Sequence, residues 1–247
     1  MSSTATTPAP QPLSEASRII NTFIAPSKTF TDLQRNASWW APWLLIAIFS
    51  LAFVWTIDRQ IGYEQVMKNQ ISHSSRAEQF EKLPPEQQAR QMQMTTKFTR
   101  VISYASPVIL LIFFVIIAAV LLGTFKFGAS INMRFKTAMG IVSYAHLPGI
   151  IAAVLGIVAL FAGVDPEGFN INNPVASNPA YFMELNGSKF LYTMASALDV
   201  FTIWSIILMG IGFACNSKVK RSTAIMIVVG WYIVYKLCAA GIAAAFS

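Results

Sequence analysis

Residues 41–57 read APWLLIAIFSLAFVWTI and contain no charged side chain. A helix of about 20 apolar residues crosses the hydrocarbon core of a bilayer, and about 17 residues are enough. Pro42 is compatible with this interpretation because the first turn of a helix does not need its backbone N–H as a donor. This segment decides the fold class, since it predicts a membrane-spanning helix.

Four further apolar segments follow, at residues 104–125, 137–164, 190–215 and 222–247. Inside a bilayer, an α-helix satisfies all its backbone hydrogen bonds within one segment, so each segment is predicted to be helical. The sequence therefore predicts an all-α integral membrane protein with five transmembrane helices. The membrane domain is expected to cover residues 39–247.

The composition excludes several classes of protein. Of the 247 residues, 55% are hydrophobic and only 12% are charged, whereas about a quarter of the residues in a soluble domain carry a charge. Disordered chains, disulfide scaffolds and typical soluble enzymes are excluded on this ground. The chain has no P-loop, zinc-protease or nucleophile-elbow motif. We therefore expect no enzymatic activity, no catalytic residues, no cofactor and no metal.

The positions of the charges predict the orientation. Lys and Arg accumulate near the cytoplasmic ends of membrane spans. The N-terminal segment and the loops after the second and fourth spans hold nine basic and two acidic residues, whereas the other two loops hold eight of each. We expect a cytoplasmic N-terminus, an external C-terminus and a basic cytoplasmic face that meets anionic lipid headgroups. This explains the net charge of +7 without nucleic acid as a partner.

The N-terminal region divides into two parts. Residues 1–17 are polar and rich in Pro and Ala, which predicts a disordered tail. Residues 18–38 carry apolar side chains at helical spacing, with a break at Pro26 after which Phe30 and Leu33 continue the stripe. We interpret them as two amphipathic helices on the membrane surface. An aromatic belt at the membrane edge would follow, formed by Trp39, Trp40 and Trp43.

The two external loops differ in character. Residues 58–103 contain two stretches rich in helix formers on either side of Leu83-Pro84-Pro85, which predicts a helical hairpin between spans one and two. Residues 164–189 are rich in Asn, Pro and Gly and should be irregular. Asn186 begins a three-residue glycosylation sequon.

Asp199 and Lys236 are the two charged residues inside the predicted spans. A charge near the centre of a span costs about 2.5–3.5 kcal/mol on insertion scales. Both residues lie at similar depths in helices joined by a short loop, which predicts an ion pair or a shared polar pocket. The alternatives are a structural clasp, a proton or substrate site, and two separate partners.

A second polar group lies in the third span, where the sequence reads SYAHLPG. Pro148 cannot donate to the carbonyl of Tyr144, so we predict a kink whose freed carbonyl is bound by a neighbour. We interpret His146 either as a residue that forms a hydrogen bond between two helices or as a proton carrier. A stripe of small residues beyond the kink predicts close helix packing, and it contains Gly149, Ala152, Ala153, Gly156, Ala159 and Gly163.

Several stretches together resemble the bacterial branch of the Yip family. They are APSKTFTDLQRNASWWAPWLLIAI at 25–48, SYAHLPG at 143–149, NPVASNPAYF at 173–182 and LDVFTIWSIILMGIGFA at 198–214. The resemblance extends over about residues 18–240 and rests on the order of the motifs. It implies a multi-pass membrane protein with a cytosolic N-terminus. Eukaryotic members are associated with Rab GTPases and vesicle traffic, but their acidic DLYGP-type motif is absent here.

Two functions are compatible with these features. The first is a non-enzymatic scaffold or adaptor that organises membrane proteins or lipids, and this is the one we favour from the sequence. The second is a small transporter, channel or lipid-moving protein that uses Asp199, Lys236 and His146. Other membrane proteins and further copies of the chain are possible partners. The expected location is the bacterial cytoplasmic (inner) membrane.

Overall fold

The computed structural model describes residues 12–74, 77–129, 131–184 and 187–245. Within these ranges the chain is helical and contains no β-strand. The predicted all-α membrane fold is confirmed. Two features of the sequence lie outside the described residues, namely Asn186 of the sequon and most of the predicted tail.

Twelve α-helices are found in the described ranges, with a short 3-10 helix at Pro179–Phe182 before the tenth. In chain order they are α1 (Glu15–Ile24), α2 (Pro26–Asp32), α3 (Trp40–Gln60), α4 (Tyr63–Ser72), α5 (Ala77–Glu81), α6 (Pro85–Tyr104), α7 (Ser106–Ala129), α8 (Phe135–Ala145), α9 (Pro148–Phe161), α10 (Lys189–Ser196), α11 (Val200–Cys215) and α12 (Arg221–Ala245).

Four helical stretches are long and apolar enough to cross a membrane, namely α3, α7, α8 together with α9, and α12. The number rises to five if α10 and α11 form one broken span. These stretches coincide with the five apolar segments of the sequence. Their composition explains the agreement, since a segment without charges has no favourable alternative to the bilayer.

The fourth span is not the continuous helix that the sequence predicted. The chain bends by 54° between α10 and α11. Helix α10 ends at Ser196, and α11 starts in a new direction after Asp199, whose backbone is extended and whose carboxylate accepts the N–H of Thr202 at 2.8 Å. Asp199 is thus the N-cap of α11. The carbonyl of Ala197, left without a helical partner, accepts a hydrogen bond from the Tyr232 hydroxyl at 2.9 Å.

The third span is interrupted at residues 146–147, between α8 and α9. The carbonyl of Tyr144, which we expected to be bound by a neighbouring helix, instead accepts the N–H of Leu147 at 3.2 Å. A tightened turn therefore satisfies this carbonyl locally. The two helices still form one apolar stretch of 27 residues.

The core of the bundle is centred on α8, which is buried from Thr137 to Ala145. It packs against α3, α7 and α11. Small residues allow the close approach: a Cβ atom added to Gly212 would lie 2.5 Å from Ile141, and one added to Gly156 would lie 2.7 Å from Phe53.

The N-terminal helices are built into this bundle. Phe30 and Leu33, which the sequence assigned to the membrane surface, are fully buried. They fit because Gly140 and Gly212 have no side chains and leave room for them on α8 and α11. The outer face of α1 stays apolar and exposed at Ile20 and Ile24. The apolar side chains of this segment are thus divided between contacts with protein and an exposed face.

The loop between spans one and two is helical, as its composition indicated. It contains α4, α5 and α6, and α4 packs against α6. Gly62 has a φ of +79° at the sharp turn that separates α3 from α4. Asn69 of α4 donates to the carbonyls of Pro166 and Phe169 at 2.8 and 2.9 Å. The loop between spans one and two is therefore bound to the loop after α9.

Candidate functional site

The break in the fourth span places Asp199 at the edge of a cavity between the helices. One carboxylate oxygen accepts the N–H and the hydroxyl of Thr202, both at 2.8 Å. The other accepts a short hydrogen bond from the Ser177 hydroxyl. The Ser177 carbonyl in turn accepts the Val200 N–H at 3.0 Å. The loop between α9 and α10 is therefore fastened to the start of α11, and the carboxylate is held in a fixed position.

Lys236 reaches the same cavity from α12. Its ammonium lies 3.4 Å from the Ser196 hydroxyl and 5.8 Å from the centre of the Tyr232 ring. Both contacts are weak for a cation, since the hydrogen bond is at the long limit and the ring interaction is modest. The charge is positioned at the cavity wall without a carboxylate in direct contact among the described residues.

Asp199 and Lys236 do not form the ion pair that the sequence suggested as one alternative. The reason is the fixed geometry of the N-cap, in which Thr202 and Ser177 direct the carboxylate towards α11 and the loop. The two side chains instead line the same cavities, which was the other alternative. The charges remain separated and both face the space between them.

Two adjoining cavities form this space. The first has a volume of about 590 Å³ and lies between α7, α11 and α12. The second has a volume of about 480 Å³ and extends beneath the loop between α9 and α10 to α3. Ligand sites in proteins commonly have volumes of about 300–1,000 Å³. The cavities share a common wall, formed by His146, Gly149, Ala152, Asp199, Thr202 and Lys236.

The cavities differ in polarity from one end to the other. Beneath the loop, the wall includes polar side chains such as Asn172 and Asn178 beside apolar ones of α3. Between α7 and α12 the wall is predominantly apolar, with Ile116, Val120, Met209, Val228 and Trp231 among its members. The combined lining suits a molecule with a small polar part and a larger apolar part.

His146 lies at the junction of the two cavities. Its Nδ1 lies 2.8 Å from the carbonyl of Val142, which can only accept, so this nitrogen carries the proton. The ring lies against Phe114 at a centroid distance of 4.6 Å. This position leaves Nε2 as an acceptor at the cavity wall.

The small-residue stripe of the third span has two roles. Gly156 provides the close contact with α3 that the pattern predicted. Gly149 and Ala152 instead leave space and line both cavities. Our interpretation of the whole stripe as a packing surface was therefore wrong for these two positions.

Tyr144 belongs to a different group from His146 and Pro148. Its buried hydroxyl donates a short hydrogen bond to Glu15 at the start of α1. Glu15 also contacts Arg18 at 3.2 Å. Arg18 is 1% exposed and donates through Nε to Asp32 at 2.7 Å. These four residues, the N-terminal network, join α1, α2 and α8.

The N-terminal network shifts the pKa values of its two central charges. Burial lowers the pKa of Arg18, but the hydrogen bond and charge of Asp32 outweigh it and the net pKa is raised. Burial alone would raise the pKa of Asp32, but the hydrogen bonds and charges of Arg35 and Arg18 outweigh this effect, and the net pKa is lowered. Both groups are therefore stabilised in their charged forms.

Acid should release the N-terminal helices. A carboxylate whose pKa is lowered by folding stabilises the folded state above its unfolded pKa of about 3.9, and this contribution disappears as the pH falls through the folded value. We expect pepsin to spare the segment around Phe30 near pH 4.5 and to cleave it near pH 2. Asp32→Asn should be cleaved at both pH values, and a wild-type pattern in this variant would contradict the assignment.

The tryptophans occupy three different environments. Trp40 is 55% exposed and faces outward. Trp43 is half-buried and donates from its indole to the carbonyl of Pro107 at 3.2 Å. Trp39 contacts the Trp43 ring edge-on at 6.3 Å. Of the three tryptophans, Trp40 is therefore the most exposed and the one best placed to serve in the predicted aromatic belt.

Sequence reasoning missed Ser177 and Thr202, which hold Asp199. A signal was present, because an Asp directly before an apolar run is typical of an N-cap, whose side chain accepts the backbone N–H two or three residues later. Nothing in the sequence indicated Ser177, which lies 22 residues away. No group of three His, Cys, Asp or Glu side chains suited to a metal is found in the described ranges.

Comparison with known proteins identifies the family. The family model of the Yip1 domain matches residues 20–242, which is nearly the whole chain. No curated protein matches, and no solved structure matches. The matched region includes the cavities, Asp32 and Tyr144 of the N-terminal network, and all or nearly all of each candidate membrane span. With its apolar helices and this match, the chain belongs to the Yip1 domain family of multi-pass membrane proteins.

Proposed function

We propose that the chain binds a membrane lipid in the two joined cavities and presents or moves it within the bilayer. The observation that supports this is the adjacency of the two cavities, whose common wall carries the charges of Asp199 and Lys236 beside a largely apolar lining. A charge at membrane depth costs free energy unless it meets a partner. A lipid headgroup supplies such partners, and its acyl chain fits the wall towards α7 and α12.

The sequence alone favoured a scaffold, and the structure changes that balance. A structural clasp between α11 and α12 would bring Asp199 and Lys236 into direct contact in a dry interface. Their separation across an accessible cavity favours the second hypothesis. The external location of the polar end and the bacterial inner membrane as the site of action remain parts of the proposal.

Filling the cavity should remove the lipid. Ala152 lines both cavities, so Ala152→Trp should occupy the volume in which the lipid lies. Native mass spectrometry after mild detergent extraction should detect one retained lipid on the wild-type protein and none, or a small fraction, on this variant. The matched control is Ala119→Trp, at an exposed position of α7 that lines neither cavity, which should retain the lipid.

A scaffold is the second candidate, and one observation favours it. Helix α6 exposes Met94, Phe98 and Val101 at helical spacing beyond the predicted span. Such a stripe is suited to a partner protein. Equal lipid retention by the wild type and Ala152→Trp, with a copurifying protein in both, would support the scaffold and refute lipid binding in the cavity. Melting temperatures of the variants show whether each is folded.

A further inference from the structure

We infer that the polar end of the cavity selects a zwitterionic lipid headgroup, one that carries a phosphate and an ammonium. This inference rests on the proposed lipid-binding function and names the ligand class. Its basis is the presence of one carboxylate, Asp199, and one ammonium, Lys236, which line the same space without contacting each other.

The carboxylate of Asp199 is fixed by its own neighbours, Thr202 and Ser177. Lys236 lies near Ser196 and Tyr232, and its weak contacts leave its ammonium available to a ligand. The carboxylate cannot turn towards Lys236 without breaking its hydrogen bonds. A headgroup with both charges bridges the gap, with its phosphate towards Lys236 and its ammonium towards Asp199.

The summed charge of the cavity and its ligand differs between a zwitterionic and an anionic headgroup. Asp199 and Lys236 sum to zero, so a zwitterionic headgroup leaves a neutral site. An anionic headgroup would satisfy Lys236 but leave an excess negative charge near Asp199, and a buried excess charge is costly in a low dielectric. The chemistry of the site therefore favours the zwitterion over the anion.

Asp199 also retains capacity to accept a hydrogen bond from the primary ammonium of a phosphoethanolamine, whereas the quaternary ammonium of a phosphocholine interacts with it through charge alone. A carboxylate has about four lone-pair positions. Three of them are used by the Thr202 N–H, the Thr202 hydroxyl and the Ser177 hydroxyl. The remaining one lies on the oxygen that binds Ser177, and the net charge of the carboxylate attracts the ammonium in addition.

The test uses the full chain in nanodiscs with equal amounts of a phosphoethanolamine, a phosphocholine and a phosphoglycerol lipid. After mild extraction, native mass spectrometry identifies the retained lipid. Lipid retained by Ala152→Trp is subtracted as bulk association. We expect both zwitterionic lipids to be enriched over the phosphoglycerol lipid by about tenfold, since like charges brought together at a binding site weaken affinity strongly.

Two variants change the net charge in opposite directions. Asp199→Asn keeps a good N-cap residue, so α11 should still begin at the same position. It leaves a positive cavity, and the preference should invert towards the phosphoglycerol lipid. Lys236→Gln leaves a negative cavity and should bind the anionic lipid even less than the wild type does. Lys218→Gln, outside both cavities, should keep the wild-type preference.

The outcomes separate this inference from the proposed function. If Ala152→Trp abolishes lipid retention but the wild type shows no headgroup preference, the inference of zwitterion selection is overturned and lipid binding in the cavity stands. An anionic preference in the wild type would overturn it equally. Displacement by soluble glycerophosphoethanolamine would show that a free headgroup compound is the ligand and would overturn the lipid assignment. Equal retention in the wild type and Ala152→Trp would refute the proposed function itself.

Discussion

Asp32→Asn should destabilise the docked N-terminal helices by about 3 kcal/mol, because removing one partner of a buried ion pair leaves the other charge poorly compensated. The partner is Arg18, which is 1% exposed and would keep the longer contact with the partly exposed Glu15 at 3.2 Å. The readout is maleimide labelling of Thr22→Cys, a position that is fully buried when α1 is docked. Labelling should become rapid in the variant.

The control is an exposed ion pair. Lys68 and Glu64 lie one turn apart on α4 at 3.0 Å, with both side chains more than half exposed. Surface pairs of this kind contribute between zero and about 1 kcal/mol, so Glu64→Gln should leave labelling at position 22 unchanged. Adding Arg18→Met to Asp32→Asn should restore part of the protection, since it removes the orphaned charge. Equal, small effects of Asp32→Asn and Glu64→Gln would contradict the network.

Gly210→Ala should separate α11 from α12 and lower the thermal stability in detergent. An added Cβ atom at this position would lie 2.6 Å from the Cα atom of Ile225. Because the obstacle is backbone, α12 itself must shift. Overpacking of this kind costs about 1–3 kcal/mol, which exceeds the gain of up to about 1 kcal/mol when alanine replaces glycine in a helix.

Gly230→Ala is the matched control on α12. Nothing lies within 4 Å of an added Cβ atom there, so only the helix-propensity gain remains. The two substitutions, chemically identical, should therefore change the melting temperature in opposite directions. Gly210→Ala should also reduce lipid retention, because Met209 and Val228 on the two helices line the cavity. Indistinguishable melting temperatures would contradict the close packing of α11 on α12.

The membrane spans were predictable from the sequence because an uncharged run of sufficient length has one stable environment. The break at Asp199 was not predicted, since a charge within an apolar run was interpreted as a buried pair and the N-cap pattern was overlooked. The same ambiguity affected Phe30 and Leu33, because an apolar stripe looks alike whether it contacts lipid or protein. Glycines on a facing helix, such as Gly212, are the signal that separates the two cases.

The sequence predicted some residues of the candidate site but not the loop and the space around them. Asp199 and Lys236 were assigned to one region from their depths in neighbouring helices, and His146 lies at the same cavity. Contacts such as that of Ser177 depend on the path of an irregular loop, which no periodicity encodes. The space around Gly149 and Ala152 is likewise a property of packing, since small residues allow either close contact or an empty volume.

The measurement that tests this account most directly is an experimental structure of the full chain in zwitterionic lipid nanodiscs, with a bound fiducial if its size requires one. We predict lipid density in the cavity between α7, α11 and α12, with a headgroup phosphate at Lys236 and the carboxylate of Asp199 still bound to Thr202. A closed interface in which Asp199 and Lys236 form a direct ion pair, with no lipid between the helices, would contradict it.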